Sequence, residues 1–438
     1  MRNILRSKIL TAYIILLIAT TGLSFAIAEH DENVKTDIYD PVVAGEADGR
    51  TVIPFSDYNS IEVYDSEKGI FIAGRENSGK GEFTYDVINS EGEVIQTFDD
   101  LGYLWDVTED KLNFKLVSDN DEEVYGNNVI VNLGKDISDE YTTEEYIFAE
   151  INPLNEDILI EEKDCFRVVD KDYNEIFKLK KKGLSGSDNR HLSYMVRFAG
   201  NTEYIRAVNK DDTCSLINYK TGEEVYRTAE AEEIIDRTCG KWEVFVYRDD
   251  NFSETYFLND DFTPAFDGIH TNRYLTNDKY IALAGMNASG LTQGEARVFY
   301  EDGTEFNYGK YGENVRGFAG DIMYVDKGVN NVFAVMMDGP EKGKVVREGT
   351  DLCLMDFDDG IAACCDKKKE GDLYPELTKN EESWIWKWKI VDENYEPLTN
   401  DSFCYARETV NGYAVVGILK GDEPCLGVID FKKDRSEM

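Results

Sequence analysis

Histidine is nearly absent: His30, His191 and His270 are the only three in 438 residues. So dispersed, they exclude a His-rich metal site. They also confine any Ser-His-Asp arrangement to His191 or His270, since His30 falls in a polar leader. No C-x-x-C occurs, which excludes a zinc ribbon and a thioredoxin-like redox centre. Prolines number eight and punctuate turns and strand ends, and sustained helical periodicity is missing. Basic side chains are outnumbered, 47 Lys and Arg against 87 Asp and Glu, for a net charge of −40. A surface of that sign repels nucleic acid and anionic membranes, so neither is an expected partner.

Long apolar runs are equally scarce. The one exception, Ile9 to Ala28, follows Arg2, Arg6 and Lys8 and ends in Ala26-Ile27-Ala28 before Glu29-His30-Asp31-Glu32. It reads as a secretory signal with an A-x-A cleavage site, although twenty residues also suffice for an uncleaved anchor. No cysteine follows the run to take a lipid. The expected organisation is a signal peptide at 1–28, a polar leader at 29–47 and a repeat domain at 48–438, secreted or associated with the cell envelope, with no membrane insertion after cleavage.

What is present is a core. Hydrophobic residues make up 42% and aromatics 12% of the chain, including 26 Tyr and 22 Phe, too many for a disordered polyanion. The simplest role of the charge is solubility. The eight cysteines stand at 165, 214, 239, 353, 364, 365, 404 and 425. An even count in an exported chain permits disulfides, with Cys353 and Cys365 flanking a hairpin turn at Asp358-Asp359-Gly360 as the leading pair. Cys165 before Phe166 and Cys214 before Ser215 fit buried thiols equally well.

A short phrase recurs about every forty residues: two apolar residues, an Asn or Asp, a polar turn, another apolar stretch. Full copies end at Asn89, Asp170, Asn218, Asn259, Asp392 and Asp430, and weaker ones centre on Asn132, Tyr300 and Met337. Each interval holds about four β-type runs; between 218 and 259 they are Glu224 to Tyr226, Glu233 to Ile235, Trp242 to Tyr247 and Thr255 to Leu258. Four short strands per repeat is the pattern of propeller blades. The last repeat has an incoming strand, Leu426 to Ile429, and no outgoing one, whereas Thr51-Val52-Ile53 is an outgoing strand without a partner. Pairing them would satisfy both edges and close a ring. The fold expected is an all-β, propeller-like ring of eight or nine imperfect four-stranded repeats, the alternative being an open stack of β-hairpin repeats.

The stretch Gly49-Arg50-Thr51-Val52-Ile53-Pro54-Phe55-Ser56-Asp57-Tyr58-Asn59-Ser60-Ile61 resembles the G-x-x-V-I-P then Y-D-x-I segment of WG-repeat (KWG-repeat) proteins. The family's preceding W-G-[YF]-I-[DN] strand is degenerate here: Trp388-Lys389-Ile390-Val391-Asp392 keeps the Trp and Leu426-Gly427-Val428-Ile429-Asp430 keeps the Gly. The resemblance implies a bacterial repeat protein used as a binding scaffold.

Motifs that would carry chemistry each fall short. Gly74-Arg75-Glu76-Asn77-Ser78-Gly79-Lys80-Gly81 approaches a phosphate loop, but Gly81 replaces the hydroxyl residue and a strand, Phe83 to Asn89, follows where a helix is needed. Gly183-Leu184-Ser185-Gly186-Ser187 misses a nucleophile elbow at its last position. Asp170-Lys171-Asp172-Tyr173-Asn174 opens like a calcium loop, yet lacks the Gly and has Lys181 in place of the bidentate Glu; turn chemistry accounts for its acids. Trp384, Trp386 and Trp388 share one strand face and fit either sugar stacking or burial between blades, with register favouring burial. Lys178-Leu179-Lys180-Lys181-Lys182 and Lys367-Lys368-Lys369 read as solvated basic tips.

No catalytic, cofactor-binding or metal-ligating residue is therefore assigned. The functional expectation is a non-enzymatic binding or adaptor module with no resident cofactor, Ca²⁺ at the Asp170 loop being the cation considered. Its partner would be a protein or a glycan, met by loops after Asp48, Asn89, Asp170, Asn218 and Asn259 or by those on the opposite rim. The alternative is a secreted carbohydrate-active enzyme with a carboxylate pair in the central channel.

Overall fold

A computed structural model describes residues 50–432, apart from 78–81, 117–126, 135–136, 138–139, 186–194, 248–252, 273, 278, 285–295, 313, 327–331, 350, 353–356, 359, 367–387, 393, 395, 400–402, 404 and 421–422. The described residues form nine antiparallel sheets, seven of four strands and two of three. In chain order these blades are 1 (60–101), 2 (103–146), 3 (149–180), 4 (196–227), 5 (232–258), 6 (274–306), 7 (314–349), 8 (351–392) and 9 (405–430).

The fourth strand of blade 9 comes from the other end of the described chain. Thr51–Ser56 pairs with Glu423–Asp430, setting Thr51 opposite Ile429, Ile53 opposite Val428 and Ser56 opposite Leu426. The half-phrases do join, and no open stack forms. Nine apolar clusters show the same closure from the packing side. Tyr85 and Phe98 meet Leu112 and Phe114 between blades 1 and 2, and Ile130 meets Ile151 and Ile160 between 2 and 3. Further clusters join blades 3 to 4, 4 to 5, 5 to 6, 6 to 7, 7 to 8 and 8 to 9 in turn. The last brings Val415 and Val428 of blade 9 against Ile61 and Phe71 of blade 1. The molecule is a β-propeller whose sheets are covered on both faces. That is why strands such as Cys165–Val169 are buried nearly throughout instead of alternating.

Each copy of the recurring phrase is a blade's third strand, and in several of them the Asn or Asp caps the turn that follows. Asn89 Oδ1 accepts from the N–H groups of Glu91 and Glu93 at 3.1 and 2.8 Å. Asp170 Oδ1 accepts from Asp172 and Asn174 at 3.0 and 2.9 Å, and Asp392 Oδ1 from Asn394 and Glu396, both at 2.8 Å. Three places on, Gly92, Tyr173, Phe262 and Gly303 take positive φ and donate to the anchor's carbonyl, each at 2.9 Å. This is a type I turn followed by a left-handed residue, the geometry that inserts one bulge residue into a hairpin. The ladder slips there, between Val87 and Ile88 and between Val168 and Val169. Tyr300 lacks a side-chain cap and Asp302 supplies one, accepting from Thr304 N–H at 2.8 Å.

Two units depart from four strands, and proline marks both. Pro264 and Pro397 each stand five residues after an anchor, where the fourth strand would begin. Proline cannot donate to a ladder and favours leaving it. In blade 5 the chain touches the third strand at Ala265 and Thr271 and turns away at Phe266 and Asp267, both at positive φ. In blade 8, Leu398 and Phe403 make the equivalent bonds to Ile390 and Trp388. Irregular backbone thus covers an edge that a strand covers elsewhere.

Candidate functional site

Blade 2 has two unlike faces. Leu112 and Phe114 of Lys111–Lys115 enter the apolar seam with blade 1, while Lys111, Asn113 and Lys115 point the other way and are also buried. A chain of hydrogen bonds runs from the Lys115 ammonium to Asn128 Oδ1 (3.0 Å), from Asn128 Nδ2 to Asn113 Oδ1 (2.9 Å), and from Asn113 Nδ2 to Asp106 Oδ2 (2.7 Å). Asp106 Oδ2 also accepts from Ile151 N–H of blade 3 at 3.1 Å. The motif then repeats: Glu150 of blade 3 accepts from Phe198 N–H of blade 4 at 3.0 Å and from Arg197 Nη2 at 2.6 Å. Arg206 of blade 4 donates to the Ile234 carbonyl at 3.4 Å and pairs with Glu233 of blade 5. Across the closing junction, Arg407 of blade 9 donates to the Ile61 carbonyl at 3.2 Å and pairs with Glu62.

Most of these groups lie on the blades' first and second strands, and they tie blade 2 to 3, 3 to 4, 4 to 5 and 9 to 1. Burial, and secondly the Glu150 carboxylate, pushes the Asp106 carboxyl up to about 7. Burial, with Arg197 adding to it, pulls the Lys115 ammonium down to about 8. Glu243, buried and accepting from Thr238 and Tyr274, is pushed up to about 7, chiefly by burial. By contrast the turn acid Asp170 is held below the ordinary carboxylate range, mainly by the Asn174 side chain. Both kinds of carboxylate are engaged by the fold itself.

A different place is open. A cleft of about 460 Å³ lies between blades 3 and 4. Its walls are the end of the strand Glu175–Lys180, the connection 181–185, the turn after Val208 and the fourth strand Glu223–Arg227. Leu184 bridges to Asn209, holding the connection against blade 4. Because adjacent strands are antiparallel, this rim is opposite the one carrying the anchor turns at Asp170 and Asn218. Leu179, Leu184 and Ile217 give it an apolar floor, and Lys180, Lys182 and Lys210 stand exposed around it. Arg227 is committed to Glu224, at 3.1 and 2.8 Å.

The sequence candidates are distributed as follows. In Lys178–Lys182, Lys178, Lys180 and Lys182 are exposed, the first and second of them on a strand, while Lys181 is mostly buried, 2.7 Å from Glu161 and 5.4 Å above the Phe166 ring. Trp388 packs between blades, against the clusters on both sides of blade 8, whereas Trp384 and Trp386 lie outside the described residues. So do residues 1–49, Ser78 to Gly81, Gly186, Ser187, His191, Cys353 and Lys367 to Lys369; Gly74 sits in a strand, and another, Phe83–Ile88, follows. Cys165, Cys214, Cys239, Cys364 and Cys425 are buried free thiols. His270 stacks on Tyr256 and faces Glu254 at 3.1 Å. Asp170, the first position of the calcium-like loop, spends its oxygens on Asp172 and Asn174. Among the described residues no three His, Cys, Asp or Glu side chains cluster to hold a metal ion.

No family model matches the chain, and no curated protein matches it. Among solved structures it is similar to the crystal structure of the eukaryotic initiation factor, at 8% identity and a TM-score of 0.49 over 81% of this chain and 90% of that one. BamB from Moraxella catarrhalis is similar at 10% identity and a TM-score of 0.32, over 86% and 99%. The Neurospora crassa Pan2 WD40 domain is similar at 8% identity and a TM-score of 0.28, over 86% and 91%.

Proposed function

We propose that this propeller is an exported, non-enzymatic binding or adaptor module that engages a protein or a glycan at or outside the cell envelope. A propeller holds its loops in fixed positions on a rigid ring, which is consistent with a binding role. Export rests on the basic start, apolar run and A-x-A site of residues 1–28, and the scaffold role accords with the WG-like stretch at Gly49 to Ile61. The observation that carries the reading is the use made of the axial acids. Both Glu150 oxygens accept hydrogen bonds from blade 4, and Asp106 Oδ2 accepts two, so these carboxylates act as ties between blades.

One observation favours the enzymatic alternative: a carboxyl titrating near 7, Asp106, stands beside a second acid, Glu150, as a general acid and its partner would. Incubating the full chain with cell-wall and plant polysaccharides separates the two. Glycan or protein binding without release of sugars is the expected result. Sugar release that disappears in Asp106→Asn and Glu150→Gln would replace the scaffold reading with the enzymatic one.

A further inference from the structure

We propose that the cleft between blades 3 and 4 is the docking site for an acidic peptide segment of a protein partner; the proposal rests on the binding role above and gives it a place and a chemistry.

The first ground is charge against background. The chain carries −40, so most of its surface repels an anion. Here Lys180, Lys182, Lys210 and Arg227 converge from three segments brought together by the fold. Two acids share the cleft, Asp211 and Glu224, and both are answered internally. Arg227 makes two hydrogen bonds to Glu224 and lies 3.9 Å from Asp211, Ser215 donates to Glu224 at 2.7 Å, and Thr213 donates to Asp211 at 2.7 Å. The Lys180 and Lys182 ammonium groups meet no carboxylate among the described residues, so their charge is available to a ligand.

The second ground selects the class. Leu179, Leu184, Ala207 and Ile217 line the same cleft, so an occupant must bring apolar side chains as well as negative charge. A peptide alternating acids with aliphatic residues does both, because successive side chains of an extended strand face opposite ways. Although aromatics make up 12% of the chain, none lines the cleft, which therefore lacks the flat rings on which a sugar would stack. Lysines on flexible stems suit carboxylates presented at several points better than one bidentate oxyanion.

The test uses a fluorescein-labelled decapeptide alternating Glu and Leu, titrated into the full chain at about 0.1 M salt, where the Debye length of about 10 Å screens the distant acidic surface. Saturable binding is expected, at least tenfold weaker in Lys180→Glu/Lys182→Glu, intermediate in Lys180→Gln/Lys182→Gln, and unchanged in Lys342→Glu/Lys344→Glu on blade 7. Both cleft lysines are exposed, so the variants should fold, and circular dichroism with melting checks it. Equal peptide binding by every variant would remove the cleft while leaving the scaffold reading intact. A sulfated oligosaccharide binding in the peptide's place would overturn the peptide class. Self-association that the Glu variants abolish in sedimentation would make a second copy the occupant and likewise overturn the proposal. Sugar release in the polysaccharide assay is the separate result that would sink the scaffold role itself.

Discussion

The two sides of blade 2 solve one problem in opposite ways. Toward blade 1 its second strand presents Leu112 and Phe114 to Tyr85 and Phe98, a seam of aromatic and aliphatic packing. Toward blade 3 the same strand presents Lys111, Asn113 and Lys115, and part of that seam is a hydrogen-bonded chain ending on Asp106. An apolar seam is favourable wherever it buries area and sets orientation loosely. A polar seam gains little net energy but penalises every misalignment, because each unmet buried group costs about 1–3 kcal/mol. The contrast suggests that apolar seams hold the ring closed and polar ones fix the register of one blade against the next.

The largest test strikes the apolar side. Phe114 is fully buried and its ring lies 4.9 Å from that of Tyr85. Phe114→Ala should cost about 3–5 kcal/mol, through lost transfer energy and the cavity left behind, read as a fall in the urea midpoint with an unchanged slope. An effect below about 1 kcal/mol would mean that the seam collapses to fill the space, and the contrast between seams would lose its energetic half.

The polar side responds to pH. Asp106 is raised to about 7 in the folded protein, against about 3.9 unfolded. Between those values the folded state binds more protons than the unfolded, so the group's contribution falls as pH rises and is gone above about 7. The global charge of −40 drives stability the same way, and a variant is needed to isolate Asp106. Asp106→Asn keeps an acceptor for Ile151 and Asn113 and removes the titration. Its stability relative to wild type should improve by about 2–3 kcal/mol between pH 5 and pH 8. Parallel curves across that range would show that the Asp106 carboxyl is not held protonated by its seam.

A polar bond inside the apolar seam gives a smaller effect. Tyr85 donates to the Gly102 carbonyl at 2.8 Å and accepts from Leu104 N–H at 3.0 Å, fixing the crossover from blade 1 to blade 2. Tyr85→Phe leaves both backbone groups unmet and should cost about 1–3 kcal/mol. Amide exchange at Leu104 should accelerate while blades remote from the seam keep their protection. A uniform rise in exchange would mean global loosening and no local tie.

How much of this was legible follows the same division. Turns are local, so the Asn or Asp anchor could be read from spacing, whereas the left-handed residue three places on is Tyr173 or Phe262 as often as Gly92 or Gly303 and carries no such signal. Closure was legible too, because Thr51 to Ile53 and Leu426 to Ile429 are complementary halves. The shortened blades were announced by Pro264 and Pro397, although the forty-residue period masked them. The polar seam was not legible. Lys111-Leu112-Asn113-Phe114-Lys115 alternates like a strand with one wet face, yet in a ring both faces are covered, and which polar groups meet depends on another blade. The cleft was hidden likewise, since the lysine run reads as a tip until Lys210 and Arg227 are placed beside it.

The smallest effect belongs to a turn cap at the edge of the seam between blades 3 and 4, where Tyr219 and Lys220 both donate to Asp157. Asn218 Oδ1 accepts from the N–H groups of Lys220 and Thr221, both at 3.0 Å, and the turn closes with Gly222 N–H on the Asn218 carbonyl at 2.7 Å. Asn218→Ala removes only the side-chain part. The freed N–H groups sit at the surface where water replaces the lost acceptor, so the cost should be about 0.5–1.5 kcal/mol. Asn218→Asp should nearly restore it, since a carboxylate caps the shorter turns after the third strand at Asp170 and Asp392. The seams are the comparison: if the Ala variant cost as much as Tyr85→Phe, turns would set blade register alongside the seams, and the recurring Asn or Asp would be a structural tie between blades instead of a local cap.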